Sequence, residues 1–204
     1  MTFVRARVGV LVSGGGSNLQ ALIDACTDAD FPAEIAVVVS NVPTAFALER
    51  ARRAGIRTEI VPHQSYPHRP DFDAALVTAL TSHAVEIVCL AGFMRIVGTP
   101  LLEAFPHRVL NIHPALLPAF PGLHAPRQAL AYGVKISGCT VHLVDEGMDT
   151  GPVLVQAAVP VEEGDTEETL ATRILEQEHL AYPRALALVA SGRMTVDGRR
   201  TRVV

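Results

Sequence analysis

The sequence predicts an α/β protein built on an open, mainly parallel sheet, with antiparallel additions in its C-terminal half. Three observations lead there. Short apolar runs alternate with helix-period segments through the first half of the chain. Glycine or proline punctuates many of the junctions. Beyond Val109 the pattern changes to strands with little helical material between them. A repeated β-α-β order implies parallel pairing with right-handed crossovers, whereas strands joined without a helix favour antiparallel pairing.

The elements follow in order. Val8–Ser13 reads as a buried strand, and Ser17 opens an amphipathic helix to about Cys26, with Leu19, Leu22 and Ile23 on one face. Glu34–Ser40 is a second strand. Pro43–Ala54 is a helix, with proline near its first turn and Gly55 as its stop. Arg57–Val61 is a strand, Asp71–His83 a helix, and Ile87–Ala91 another buried strand. Val109–Ile112 is a strand ended by Pro114. A proline-rich loop from Ala115 to Lys135 comes next, with Gly122 and Gly133 as candidate pivots; it is placed to close over a ligand as a lid, the alternative being a rigid surface connection, which the proline content favours. Gly138–Val144 and Gly151–Val161 are strands. Asp165-Thr166-Glu167-Glu168 opens a final helix to about Ser191, with Thr166 placed to cap an acidic first turn. The sum is a Rossmann-like sheet with helices on both faces, expected to form one domain over residues 1–204. Neither an internal repeat nor a low-complexity tract interrupts it.

Composition narrows the function classes. The chain has 204 residues, 49% hydrophobic and 19% charged, enough for a sizeable core. Trp is absent, so Val, Leu, Ile and Ala must build that core. A formal net charge of −4 without a basic block argues against nucleic-acid binding. Cys26, Cys89 and Cys139 show neither metal spacing nor a disulfide framework. The apolar run Val8–Val12 is too short for a signal segment, and nothing approaches a membrane span. A cytoplasmic protein with small-molecule substrates, no nucleic acid and no membrane partner is expected, as a monomer or homodimer.

Asn111-Ile112-His113-Pro114 is the most informative stretch. Asn111 and His113 are two residues apart, so on a strand they point to the same face. An amide that can donate to an oxyanion and an imidazole that can carry a proton are what acyl-type transfer needs. The alternative is a turn with an incidental histidine. Ser13-Gly14-Gly15-Gly16-Ser17-Asn18 lies between a strand and a helix, where free N–H groups favour a phosphate; the alternative is a tight βα turn. It lacks the Lys of a Walker loop. Leu19 and Ser40-Asn41 stand where a dinucleotide fingerprint wants a small and an acidic residue. A phosphate monoester fits better. Gly92 permits close approach, and Phe93, Met94, Ile96 and Val97 are candidates to wall an apolar slot. Asp145–Asp149 lies in a glycine-containing loop between two strands. If Asp149 lies near His113, it favours the charged imidazole. His142, in a strand, reads more readily as a packing residue, and Glu178 as either a hydroxyl or amine ligand or a surface carboxylate. No compact metal spacing occurs, so no metal is expected.

Ser13–Asn18, Ala91-Gly92-Phe93-Met94-Arg95-Ile96, Asn111–Pro114, Pro121-Gly122-Leu123-His124 and Asp149-Thr150-Gly151-Pro152 occur in the order seen in the phosphoribosylglycinamide formyltransferase family. The chain resembles that family through Gln177-Glu178-His179. The resemblance implies Asn111, His113 and Asp149 as the catalytic trio. It implies Gly16, Ser17, Asn18 and Glu178 as contacts to phosphoribosylglycinamide. A folate-binding surface is implied at Arg69, Met94, Arg95, Ile96, Val97, Asn111, Asp145, Glu146, Gly147, Met148 and Asp149. Leu175 and Glu176 fall in a ligand-lining stretch of the family. Phosphate would then bind in the N-terminal half and folate in the C-terminal half. The implied co-substrate is 10-formyltetrahydrofolate, with no metal. The family often has Asn where Gly15 stands and Gly where Thr150 stands; neither change removes a catalytic group. Other formyl-folate enzymes share the trio, so the phosphate loop decides among them. A non-catalytic folate- or nucleotide-binding module is the rival of a different class, and His113 discriminates against it.

Overall fold

The structure is a computed structural model that describes residues 4–204. A seven-stranded sheet has the order β3-β2-β1-β4-β5-β6-β7. Its strands are β1 (Ala6–Val12), β2 (Ala33–Ser40), β3 (Thr58–Ile60), β4 (Ile87–Leu90), β5 (Val109–His113), β6 (Ile136–Leu143) and β7 (Val153–Pro160). The first five pair in parallel, and β6 and β7 add antiparallel. This is the predicted architecture.

Alternation along β1 shows how the layers form. Val8, Val10 and Val12 face a core shared with α1 (Ser17–Cys26), α2 (Phe46–Arg53), α5 (Ala125–Tyr132) and α6 (Glu167–Ala190). Leu11 faces a second core, made with α3 (Arg69–Ser82) and α4 (Thr99–Ala104). Gly9 lies on that second face, where a Cβ would stand 2.3 Å from Leu80 Cδ2, so α3 sits against bare backbone. Leu19 and Leu22 of α1 are fully buried as their spacing requires, each stabilising by roughly 1.5–3 kcal/mol. Buried Tyr182 of α6 reaches the sheet centre, where its hydroxyl lies 3.0 and 3.1 Å from the carbonyls of Leu90 and Leu110. It therefore ties α6 to the two strands whose ends carry the site.

Several elements depart from expectation. Helix α2 begins at Phe46, not Pro43, because Val42–Ala45 forms a turn and the Ala47 amide is taken by the Gly14 carbonyl at 3.0 Å. The predicted loop from Ala115 to Lys135 contains α5, with Pro126 in its first turn and Gly133 as a left-handed C-cap. Its first part is pinned. Thr140 Oγ1 donates to the Ala115 carbonyl at 2.7 Å and accepts from Leu117 N at 3.0 Å, while Gln156 Nε2 donates to the Leu117 carbonyl at 2.9 Å. Any lid is thus confined to residues 118–124. Helix α4 and a hairpin of β8 (Met194–Asp197) and β9 (Arg200–Val203) were not expected. Thr166 caps α6 as predicted, accepting from Thr169 N.

Candidate active site

The site lies at the carboxyl ends of the parallel strands, where open α/β sheets bind ligands. Antiparallel register places His142 of β6 directly opposite Asn111 of β5, and Thr140 opposite His113. Cross-strand partners share a face, so His142 joins the constellation. Its Nδ1 lies 2.8 Å from the Leu143 carbonyl and donates to it. In the neutral ring Nε2 is then left to accept from Asn111 Nδ2 at 3.2 Å. That contact fixes which way the Asn111 amide faces and leaves its second N–H for a ligand oxygen.

The β6–β7 loop folds back over the end of β5. Asp149, with φ 56°, places Oδ2 3.4 Å from His113 Nδ1 and Oδ1 3.6 Å from His142 Nε2. Gly122 N donates to Oδ2 at 2.8 Å. Burial pushes the Asp149 carboxyl up, but the His142 ring, which donates from Nε2 when it is protonated, the Gly122 N–H and the His113 ring outweigh it and hold it below its ordinary value. His113 is only 4% exposed, and its Nε2 donates to the Phe120 carbonyl at 2.8 Å. Both ring nitrogens therefore face acceptors. The protonated ring can donate to both, the neutral ring to only one.

A pH test of stability follows. The folded carboxyl of Asp149 lies below its unfolded value. Its contribution is therefore fully present above the unfolded value, near pH ~4, and is lost as pH falls through the folded value. Near pH ~5, where the histidine partners are held in one charge state, urea unfolding of wild type and Asp149→Asn should differ, and the gap should shrink as pH falls below about 4. A gap that stays constant into acid would remove this carboxylate from the ionic balance of the site.

The glycine loop is shaped by α2. The Gly14 carbonyl accepts from Ala47 N, and the Gly15 carbonyl accepts from Arg50 Nε at 2.8 Å. In trans peptides the following N–H groups point the opposite way. Gly16, not Ser17, caps α1, at φ 72°. A Cβ there would meet Ala47 Cβ at 2.6 Å, so the position needs glycine twice over. The first amides of a helix lack intrahelical partners, so the start of α1 is a place where an anion can be held. Buried Asn18 Nδ2 donates to Glu178 Oε2 at 2.7 Å, which brings α6 to the loop. Burial pushes the Glu178 carboxyl up, and the Asn18 bond only partly offsets that.

Ser13 joins this loop to the Met94–Val97 segment. Its Oγ donates to Asn41 Oδ1 at 2.6 Å and accepts from Met94 N at 2.8 Å. Met94 and Ile96 are exposed at the rim. The other two candidates for the apolar slot are not free to wall it. Val97 is buried in the second core, and Phe93 is half-buried and stacked on Phe72 with centroids 6.4 Å apart. Arg95 is exposed. Arg69 Nη2 donates to the Val97 carbonyl. In the 145–149 loop, Asp145 Oδ1 accepts from Thr150 Oγ1 at 2.6 Å and Gly147 N at 3.1 Å, so it shapes the turn. Glu146 and Met148 are exposed, and Gly122 packs toward Met148 Sδ. Leu175 is partly buried and Glu176 exposed on α6. Among the described residues, no cluster of His, Cys, Asp and Glu is arranged to hold a metal ion, and no helix is long and apolar enough to cross a membrane.

Fold and constellation together define a formyl transferase. The chain belongs to the formyl transferase family, whose model matches residues 6–186. It is 45% identical to the phosphoribosylglycinamide formyltransferase of Escherichia coli (strain K12), over 94% of this chain and 93% of that one. It is also 55% identical to the trifunctional purine biosynthetic protein adenosine-3 of Drosophila pseudoobscura pseudoobscura, covering 92% of this chain but only 14% of that much longer protein. Among solved structures, glycinamide ribonucleotide transformylase 1 from Symbiobacterium toebii superposes with a TM-score of 0.96 at 55% identity, covering 98% of this chain and 94% of that one.

Proposed function

We propose that this chain transfers the formyl group of 10-formyltetrahydrofolate to the amine of 5-phosphoribosylglycinamide, giving formylglycinamide ribonucleotide and tetrahydrofolate, a step of de novo purine biosynthesis. One observation carries the chemistry. The Asp149 loop folds onto the end of β5, so that carboxylate, imidazole and amide meet in one cluster. The phosphate-type loop at the same carboxyl end of the sheet and the near full-length likeness to the Escherichia coli enzyme support the acceptor.

The amine lone pair attacks the formyl carbon, and the carbonyl π pair moves to oxygen. The free Asn111 Nδ2–H donates to that oxyanion. His113 as imidazolium gives its proton to the departing folate nitrogen as the C–N bond breaks. The attacking nitrogen gives its extra proton to the now neutral His113 ring or to solvent water, which restores the proton His113 gave up, and the oxyanion pair re-forms the carbonyl. Asp149 orients His113 and balances its charge. No covalent enzyme intermediate is needed. Because the Phe120 carbonyl occupies His113 Nε2, residues 118–124 must shift, or the ring must turn, for that nitrogen to face substrate. Gly16, Ser17, Asn18 and Glu178 bind the phosphoribosylglycinamide. Met94, Ile96, Met148, Arg69 and the Asp145–Asp149 loop form the folate side, in one catalytic unit.

An acceptor panel tests this reading. Purified protein with 10-formyltetrahydrofolate should release tetrahydrofolate rapidly with phosphoribosylglycinamide, and at least about 10²-fold more slowly with water, free glycinamide or an amino sugar nucleotide. Equal release without any acceptor would make the protein a hydrolase instead.

A further inference from the structure

Asp73 of α3 is an unusual carboxylate outside the trio. It is 1% exposed, and neither oxygen makes a well-formed hydrogen bond. Burying a carboxylate this way costs stability unless a cation compensates. Its cation is Arg69, one helical turn earlier, with Nε 3.8 Å from Oδ2. Burial pushes the Asp73 carboxyl up, and Arg69 and the Gly98 amide only partly offset that. Gly98 walls the pair in. A Cβ there would lie 2.6 Å from Asp73 Oδ2, 3.2 Å from Arg69 Nη2 and 3.3 Å from Arg69 Nε.

The guanidinium is thus held from two sides, by Asp73 and by the Val97 carbonyl. Half of the side chain remains exposed, and a guanidinium has five donors, so N–H groups are left to face solvent. Ile96, next in the chain to the Val97 whose carbonyl takes Arg69 Nη2, is exposed, as is Met94. A fixed cation at the end of an apolar rim suits a ligand with an apolar body and an anionic end. The glutamyl tail of a folate has that chemistry.

We propose that Asp73 is a positioning residue, whose buried carboxylate, closed in by Gly98, fixes the Arg69 guanidinium to meet the carboxylate-bearing tail of the folate substrate. This rests on the assignment of Arg69 to the folate side. Asp73 touches no substrate and acts only through Arg69.

Steady-state kinetics of Asp73→Asn, Gly98→Ala, Arg69→Ala and the double variant Arg69→Ala/Asp73→Asn test it. The two substrates are 10-formyltetrahydrofolate and its truncated analogue 10-formyltetrahydropteroate, which lacks the glutamate. Asp73→Asn and Gly98→Ala should each raise the folate KM about three- to tenfold, with kcat changed by less than about twofold. The KM for phosphoribosylglycinamide should stay put. With the truncated analogue, wild type and Asp73→Asn should give the same KM. In the Arg69→Ala background, Asp73→Asn should add nothing. Because the native carboxylate is desolvated, Asp73→Asn should not lower Tm, whereas a purely structural role would. An unchanged folate KM in the folded variants, or an equal rise with the truncated analogue, would overturn the proposal. Should Asp73→Asn not fold, Gly98→Ala decides by the same criteria. An Arg69→Ala protein with normal folate KM would overturn the Arg69 assignment and this inference with it. A raised KM in Arg69→Ala beside a normal one in Asp73→Asn would overturn the inference alone.

Discussion

Replacing His113 by alanine should lower the single-turnover rate of formyl transfer by about 10²–10⁴-fold, while both substrates bind within a few-fold of normal. The leaving folate nitrogen must gain a proton as its bond to the formyl carbon breaks. His113 is the imidazole at the end of β5 with Asp149 3.4 Å from Nδ1, and no other side chain in the cluster can both carry and release that proton. His142 is the nearest alternative, but its Nδ1 is committed to the Leu143 carbonyl and its Nε2 to Asn111. Rapid-quench rates, measured beside calorimetric affinities for each substrate, check the result. A near-normal rate in His113→Ala would leave a binding module with an incidental histidine. Loss of affinity equal to loss of rate would mean that the ring only packs.

Asn111→Ala should cost about 10²–10³ in rate, the usual penalty for one oxyanion donor, with a larger loss of folate affinity than His113→Ala shows. Two things are removed at once. The free Nδ2–H no longer meets the developing oxyanion, and His142 Nε2 loses the donor it accepts from at 3.2 Å. The separation of these effects lies in His142→Ala. That variant keeps the Asn111 amide but frees it to turn, so its rate should fall between wild type and Asn111→Ala. The same quench experiment measures all three. If His142→Ala is as slow as Asn111→Ala, the histidine itself takes part in the chemistry. If Asn111→Ala is as fast as wild type, the oxyanion is stabilised elsewhere.

Residues close in sequence were read well. Helix α1 has the predicted bounds because its apolar spacing and the preceding glycines agree. The shared face of Asn111 and His113 follows from strand alternation alone, and β5 spans both residues. Local signals were misjudged where proline had two meanings. Pro100 and Pro126 stand in the first turns of α4 and α5, a helix-start position, but the density of prolines around Pro118 and Pro121 suggested continuous loop. The hairpin β8–β9 went unread, although Asp197-Gly198 at its turn is a signal for one.

What sequence could not supply is long-range register. His142 enters the cluster because antiparallel pairing sets it opposite Asn111, 31 residues away. The Phe120 carbonyl and Gly122 amide are backbone groups with no residue signature, yet they hold His113 and Asp149. Val97 looked like a wall of the apolar slot by hydropathy. The chain turns there, so its side chain enters the core and its carbonyl meets Arg69.

The most direct measurement follows the formyl carbon itself. With 10-formyltetrahydrofolate labelled by ¹³C in the formyl group and with phosphoribosylglycinamide, NMR should show the label moving into the formamide of the ribonucleotide. Tetrahydrofolate should appear in equal amount, and labelled formate should stay at background. His113→Ala should abolish the transfer on the same timescale. Label appearing as free formate, or transfer undiminished in His113→Ala, would contradict the account.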